Sequence, residues 1–347
     1  MSSKKVLLTG GNGFIAAHII SLLLAHNHQV TTTVRSDAKT TYLKKKFASA
    51  VEAGQLKFAI VPDITVSGAF DDVLKSNSFE VVLHTSSPYV FNITDVTKDL
   101  LDPAILGTTE ILKGVKAHAP TVKRVVITSS FASMVDRSQG NRPGYAYSEK
   151  DWNPVTYEEA QKDPVSGYYG SKTLAEKAAW DFVKNEKPGF DLTTICPPMV
   201  YGPALQEITS MSSLNTSSAA FYAIFSGQKK ELANASIWFW TDVRNVAQAH
   251  VAAFEKPGTA NERFFICEGR FTMNEAAAAI WKYYPERAQA KAIPKPSPAL
   301  EYPASGTYYA DNSKSKNVLG IEYIPFESMI KDTLEQFITL EKELGVE

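Results

Sequence analysis

The sequence predicts an α/β fold in which helices wind over both faces of a parallel sheet. Three observations carry that prediction. Short β-branched runs alternate with helical patterns, and the runs are apolar almost throughout, as strands covered on both faces must be. A glycine-rich turn then joins the first run to the first helix.

The elements follow in order. KKVLLTG, residues 4–10, is a first strand, and Phe14 to Ala25 a first helix. QVTTTV (29–34) precedes a helix from Lys39 to Ala50, and LKFAIV (56–61) a helix from Ala69 to Ser76. FEVVLHT (79–85) leads into a long helix running through Leu112. VKRVVITSS (122–130) is followed by a helix over 167–184, and FDLTTIC (190–196) closes the regular alternation. Beyond Cys196 come a Pro-rich turn, a Ser-rich stretch, SIWFWTDVRNVAQAHVAAF, RFFICEG and helical segments to Glu347. These predict a last strand and its helix, mixed with a smaller lobe over the carboxyl ends of the strands.

Composition narrows the function classes. A chain of 347 residues, 44% hydrophobic and 21% charged, buries a large core. Its net charge of −1 offers no electrostatic reason to expect nucleic acid or an anionic membrane as partner, so small molecules are expected. Cys196 and Cys267 both lie in apolar runs, which predicts two buried thiols in a reducing compartment and no disulfide framework. The apolar part of MSSKKVLLTGGNGF is too short for a signal segment, and no run of about 18 apolar residues follows. A cytoplasmic location is expected, with the sequons at Asn92 and Asn215 unmodified. The histidines, among them His26 and His28, show no metal-ligand spacing, so no metal is expected.

VLLTGGNGFIAAHIISLLLA contains Gly11-x-Gly13-x-x-Ala16 between the first strand and its helix. Glycines here allow a tight turn and a close approach of backbone to a pyrophosphate, while the helix N-terminus offers unpaired N–H groups. This predicts a Rossmann-type dinucleotide site. The residue ending the second strand separates the nicotinamide cofactors, an acid reading a ribose 2′-hydroxyl and a base a 2′-phosphate. Arg35 follows that strand and Lys39 comes four residues later, favouring NADP(H) with Asp37 turned away, although both cations could be ordinary solvated charges. In VPDIT, Asp63 could accept from an adenine amino group and Ile64 cover its ring, or Pro-Asp could simply make a turn.

GYYGSKTLAEKAAW places two tyrosines before a lysine. At about 100° per residue, Ala175, Ala178, Ala179 and Phe182 share one helix face, with Tyr168 and Lys172 at its margin. Tyr169 falls with Thr173, Glu176 and Trp180 on a polar flank, so Tyr168 is expected to face the sheet. An ammonium group one turn from a phenol stabilises the phenolate and fits it for acid/base work near neutral pH. In VVITSSFAS, Thr128, Ser129 and Ser130 emerge at the carboxyl edge of the fifth strand, where a hydroxyl could orient a carbonyl oxygen or merely end the strand in a turn. Tyr201 and Trp240 could line the substrate cavity, but aromatic residues after strands more often pack, and neither is expected to be catalytic.

Taken together, TGGNGFIA, VRSDAK, VPDIT, VLHTSSP, VITSSFAS, YYGSKTLAEKAAW, PPMVYGP, LNTS and WTDVRNVAQAH resemble the extended short-chain dehydrogenase/reductase family. The likeness is close to its fungal aldehyde and ketone reductase branch, related to methylglyoxal/isovaleraldehyde reductases and plant dihydroflavonol reductases. The resemblance implies Ser130 as carbonyl orienter, Tyr168 as proton donor and Lys172 as its electrostatic partner. For the cofactor it implies contacts from Gly10, Gly11, Asn12, Gly13, Phe14 and Ile15, from Arg35, Lys39, Asp63, Ile64 and Thr85, from Tyr168 and Lys172, and from Pro197, Val200 and Ser217. Where many members carry asparagine in VNG, this chain has Leu106, which leaves a proton relay through that asparagine without its residue.

The expected function is NADPH-dependent reduction of an aldehyde or ketone. The expected organisation is a cofactor domain of residues 1–196 plus about 237–268, and a substrate lobe of about 197–236 plus 269–347. A noncatalytic NADP(H) sensor would be expected to lose part of the Ser/Tyr/Lys set, which this chain keeps. A nucleotide-sugar epimerase or dehydratase would tend to place Thr or an acid after the strand-end serine, where Phe131 and Ala132 here suggest an apolar pocket. The sequence leaves the oligomeric state open.

Overall fold

The computed structural model describes residues 2–87, 93–233 and 237–346; Asn92 of the first sequon and Pro88 of VLHTSSP lie outside them. Its strands are β1 (Lys5–Thr9), β2 (Gln29–Val34), β3 (Leu56–Ile60), β4 (Val81–His84), β5 (Arg124–Thr128), β6 (Ala146–Tyr147), β7 (Asp191–Cys196), β8 (Met199–Tyr201), β9 (Phe239–Asp242), β10 (Glu262–Phe265), β11 (Gly269–Arg270) and β12 (Tyr309–Ala310). Seven of them form one sheet in the order β10-β7-β5-β4-β1-β2-β3. Every neighbouring pair in that sheet is parallel.

The apolar strands fold this way because they serve two cores at once. Val6 and Leu8 pack with the helices Phe14–Ala25 and Val243–Glu255, whereas Leu7 between them packs with Ile111, Leu112 and Ala179 on the other face. Val81 and Leu83 against Val82, and Val126 against Val125 and Ile127, repeat the same two-way division. Period-2 side-chain alternation leaves no face for water, so each strand must be apolar nearly throughout.

Most boundaries agree with the sequence expectation, and two differ. The predicted helix from Lys39 to Ala50 is three short pieces, Asp37–Thr40, Thr41–Lys46 and Ala48–Glu52, broken at Phe47. SIWFWTDV supplies no strand to the main sheet: β9 is the middle of a separate three-stranded sheet, β11-β9-β8, and the last main strand is β10 in RFFICEG.

A third core surrounds Tyr201, Phe221, Phe225, Trp240, Phe271 and Phe337. Trp240 and Tyr201 are both buried there, Tyr201 stacking on Phe221 at 4.4 Å, so they pack as expected. A fourth, aromatic core gathers Phe131, Tyr147, Tyr169, Phe239, Phe265 and Tyr308. Phe131 and Ala132 belong to it and are buried, which corrects the expectation that they front an apolar pocket. Cys196 and Cys267 are free, buried thiols, and burial pushes the Cys196 thiol up to about 12. No helix among the described residues is long and apolar enough to cross a membrane.

Candidate active site

The strand order reverses between β4 and β1, so the connections leaving their carboxyl ends diverge and open a crevice. A cavity of about 300 Å³ occupies it. Of the residues singled out by sequence, Gly10, Asn12, Gly13, Arg35, Lys39, Ile64 and Thr85 line it, together with Ser86 and Ser87.

Two glycines make the cradle possible. Gly10 has φ +75°, and a Cβ there would stand 2.7 Å from Ser86 Oγ. At Gly11 a Cβ would come within 2.1 Å of Thr32 Oγ1, on the neighbouring strand. With both bare, the turn delivers its backbone to the first turn of the helix Phe14–Ala25, whose N-cap, Gly13, brings no side chain over the free N–H groups. Phe14 sets its ring edge-to-face on His18, and Ile15 packs into the core under β1. Such a turn can receive a diphosphate, and Arg35 and Lys39 add exposed positive charge at its β2 side.

The acids divide as their local bonding dictates. Asp37, 85% exposed, pairs with Lys44 and is absent from the cavity lining. Asp63 accepts from Thr65 N at 2.8 Å and Thr65 Oγ1 at 2.7 Å, bonds that hold its carboxyl below the usual range. It makes a turn and leaves Ile64 to face the cavity. Gly107 lets the helix Asp102–His118 close on Ile64, since a Cβ there would be 2.8 Å from Ile64 Cδ1, and Leu106 beside it is 41% exposed.

Thr9 fixes the end of β4. Its Oγ1 accepts from Thr85 N and Ser86 N, both at 3.1 Å, and so gives its own proton to His84 Nδ1 at 3.0 Å. Thr85 Oγ1 in turn donates to Thr9 O at 2.6 Å. His84 is fully enclosed, and burial pushes it down to about 3, leaving a neutral ring. The next residue along, Ser87, accepts a hydrogen bond of 2.9 Å from Lys172 Nζ.

Lys172 arrives on the helix Pro164–Glu186, which starts where Asp163 caps Val165 N and Ser166 N with Pro164 in its first turn. Its Nζ is 5.8 Å from the Tyr168 ring centroid, and burial pushes the ammonium down to about 8. The flank read as polar proves to be interior. Tyr169, Thr173 and Glu176 are buried at 9%, 0% and 2% exposure, while Tyr168 is 36% exposed. The helix is covered on two sides, so the apolar stripe alone could not rank the tyrosines. Tyr169 goes into the aromatic core with Arg137 over its ring, and Tyr168 keeps the open edge beside Lys172.

The strand-end serines also separate. Ser129 Oγ is buried and donates to Glu176 Oε2 at 2.5 Å. Ser130 is half-buried, caps the short turn Phe131–Ser133, and accepts from Ala132 N at 3.1 Å, which uses a lone pair and not its proton. Pro197 O accepts from Phe131 N at 2.8 Å, tying the β7 end to the same turn. Val200 O accepts from Ser217 Oγ at 2.5 Å, and Ser217 Oγ accepts from Asn215 Nδ2 at 2.8 Å. Pro197, Val200 and Ser217 are absent from the lining of the 300 Å³ cavity.

Sequence reading missed Ser87, visible only as one more hydroxyl in VLHTSSP, and the buried pair Glu176–Arg263, joined at 2.7 Å. An arginine opening the apolar run RFFIC, within a strand, was the available sign of the pair. It also missed a grouping of His26, His28 and Glu255. There His28 Nδ1 accepts from Lys4 N at 3.0 Å, which puts the ring proton on Nε2, donated to Glu255 at 2.8 Å. A ring protonated at Nε2 offers no lone pair there to a metal.

The model of the NAD dependent epimerase/dehydratase family matches residues 6–267. The chain is 36% identical over 341 residues to the NADPH-dependent methylglyoxal reductase GRE2 of Saccharomyces cerevisiae, covering 97% of this chain and 98% of that one. It is 42% identical over 339 residues to the ketoreductase azaE of Aspergillus niger, covering 97% and 98%. The crystal structure of Gre2 from Candida albicans in complex with NADPH superimposes with a TM-score of 0.89 at 38% identity, covering 97% of this chain and 99% of that one. With the parallel sheet, the glycine turn and the crevice between β1 and β4, these matches identify the chain as a member of the NAD dependent epimerase/dehydratase family.

Proposed function

We propose that this protein is an NADPH-dependent reductase of aldehydes and ketones. The observation that carries the reading is the position of Lys172, bonded through Nζ to Ser87 on the cavity wall and beside the ring of Tyr168 on its own helix. The names of the relatives, a methylglyoxal reductase and a ketoreductase, support the same substrate class.

In this reading NADPH is held by Gly10 to Ile15, Arg35, Lys39, Ile64, Thr85, Pro197, Val200 and Ser217, with Asp63 shaping the turn beneath the adenine end. When bound, the cofactor supplies hydride. The protein's own part is to hold the carbonyl and manage one proton. The Ser130 hydroxyl donates to the carbonyl oxygen and orients it. Tyr168 gives its phenolic proton to that oxygen as negative charge builds there. Lys172 stabilises the phenolate left behind. Ser87 holds the ammonium and lies on the path by which the proton is replaced, a place the missing asparagine at Leu106 leaves open. Residues 197–236 and 269–347 form the lobe that selects the carbonyl, and the enzyme works in the cytosol, where its two thiols stay reduced.

The test is loss of NADPH absorbance with small aldehydes, ketoesters and aryl ketones. Stoichiometric cofactor oxidation with formation of the alcohol is expected. Binding of NADPH with no oxidation by any carbonyl would leave a sensor, and sugar-nucleotide turnover with no net oxidation an epimerase.

A further inference from the structure

Glu176 lies one helical turn beyond Lys172 and two beyond Tyr168, and it is almost wholly buried. Its Oε2 accepts from Ser129 Oγ at 2.5 Å, Ser133 Oγ at 2.6 Å and Arg263 Nη2 at 3.1 Å. Its Oε1 accepts from Thr194 Oγ1 at 2.7 Å, Arg263 Nε at 2.7 Å and Trp180 Nε1 at 3.3 Å. Ser129 and Ser133 bracket Ser130. Ser133 Oγ is also 2.7 Å from Ser130 O, so a single proton is divided between the carboxylate and the carbonyl of Ser130 itself.

We propose that Glu176 is a positioning residue that holds the loop presenting Ser130 in fixed register with the helix carrying Tyr168 and Lys172. The inference rests on the reading of those three residues as the reacting set. A carboxylate suits the task because it accepts several hydrogen bonds at once and donates none. Glutamine in its place must turn one of its two ends into a donor. Burial works against the charge, but Arg263 and the serine hydroxyls outweigh it and hold the carboxyl below its usual range. A buried ion pair is a poor device for stability alone, since well-packed apolar residues do as well. What it adds here is a junction between β5, β7, β10 and the catalytic helix, because Ser129 follows β5, Thr194 lies in β7 and Arg263 in β10.

The experiment uses Ser129→Ala, Ser133→Ala, the double variant and Glu176→Gln, with Ser130→Ala as reference. Each is measured for NADPH Kd, for kcat and KM with one good carbonyl substrate, for melting temperature, and for the isotope effect with 4-deuterated NADPH. Because a displacement of about 1 Å can cost about 10²-fold in rate, the double variant should lose roughly 10- to 100-fold in kcat. NADPH Kd should stay within about twofold, and the isotope effect should grow as hydride transfer becomes limiting. Folded, NADPH-binding variants with kcat within about twofold of the parent would overturn the proposal and leave Glu176 a stability element. If the double variant does not fold, Ser129→Ala alone decides by the same criterion. Should Ser130→Ala itself keep full activity, the reading of the reacting set fails first, and the two failures are thereby told apart.

Discussion

Lys172 Nζ donates to Ser87 Oγ at 2.9 Å, which fastens the helix Pro164–Glu186 to the segment after β4 that lines the cavity. The hydroxyl that receives this bond follows directly on residues that Thr9 has anchored, so the ammonium is held by the same strand ends that shape the cofactor cradle.

The first prediction concerns pH. Burial lowers Lys172 from 10.5 to about 8, so the folded protein loses this proton where an unfolded chain keeps it. In the proposed mechanism carbonyl reduction takes up a proton and draws on the Lys172 ammonium form. Activity should therefore be full below that value, and kcat/KM for reduction should fall as pH rises through about 8. Between about 8 and 10.5 the same group makes the cofactor-free protein more stable with rising pH, because only the unfolded chain still binds the proton. Lys172→Arg, whose charge persists above about pH 12, should move the alkaline limb upward; a pH–rate profile that does not respond to it counts against Lys172 as the titrating group.

A second prediction separates the two tyrosines. Removing one acid/base hydroxyl costs about 10²- to 10⁴-fold, so Tyr168→Phe should lose that much of kcat while its NADPH Kd stays near the parent's. Tyr169→Phe keeps the ring that packs under Arg137 in the aromatic core and should retain most of its turnover. Steady-state kinetics beside cofactor fluorescence titration read both, and the opposite ranking would move the acid to Tyr169.

Cofactor choice gives the third. Arg35 and Lys39 bring two cations to the cavity while Asp37 faces water. Each charge-assisted contact to a phosphate contributes about 1.5–3 kcal/mol, so Arg35→Ala should raise the KM for NADPH by about 10- to 100-fold and leave that for NADH nearly unchanged. Equal losses with both cofactors would place Arg35 away from the 2′-phosphate.

The fourth addresses the cradle itself. A Cβ at residue 11 would lie 2.1 Å from Thr32 Oγ1, on a strand buried in the sheet. Gly11→Ala should therefore cost about 1–3 kcal/mol of stability through overpacking, seen in urea unfolding, and should weaken NADPH binding as the turn is pushed outward. Pairing it with Thr32→Ser, which removes the methyl carbon 2.8 Å from that position, should recover part of the loss.

The sheet was legible because its strands announce themselves: Val6, Leu7 and Leu8 are all apolar, and only burial on both faces requires that. The cradle was legible for a related reason, since Gly10 and Gly11 occupy places where a side chain has no room. The helix Pro164–Glu186 was expected over 167–184, but its faces were misread: Tyr169 is buried and Tyr168 is the exposed one. A face carrying Thr173 and Glu176 looks wet in a helical projection, and its partners Ser129 just after β5, Thr194 in β7 and Arg263 in β10 are joined to it by no local pattern. The register of Ser87 with Lys172, 85 residues apart, was hidden likewise. The break at Phe47 and the transfer of Phe239–Asp242 to a second sheet also depend on tertiary packing rather than on propensity.

Among the described residues, the apolar cluster of Tyr201, Phe221, Phe225 and Phe337 shares no buried member with the aromatic one that backs the serine turn. The two meet at β9, where Trp240 belongs to the first and its neighbour Phe239 to the second, so repacking around Phe221 is passed along that strand toward the serine turn. With that cluster in the proposed substrate lobe, a substitution that reshapes it would also be felt behind the serine turn, so carbonyl preference and proton chemistry would be tuned together rather than apart.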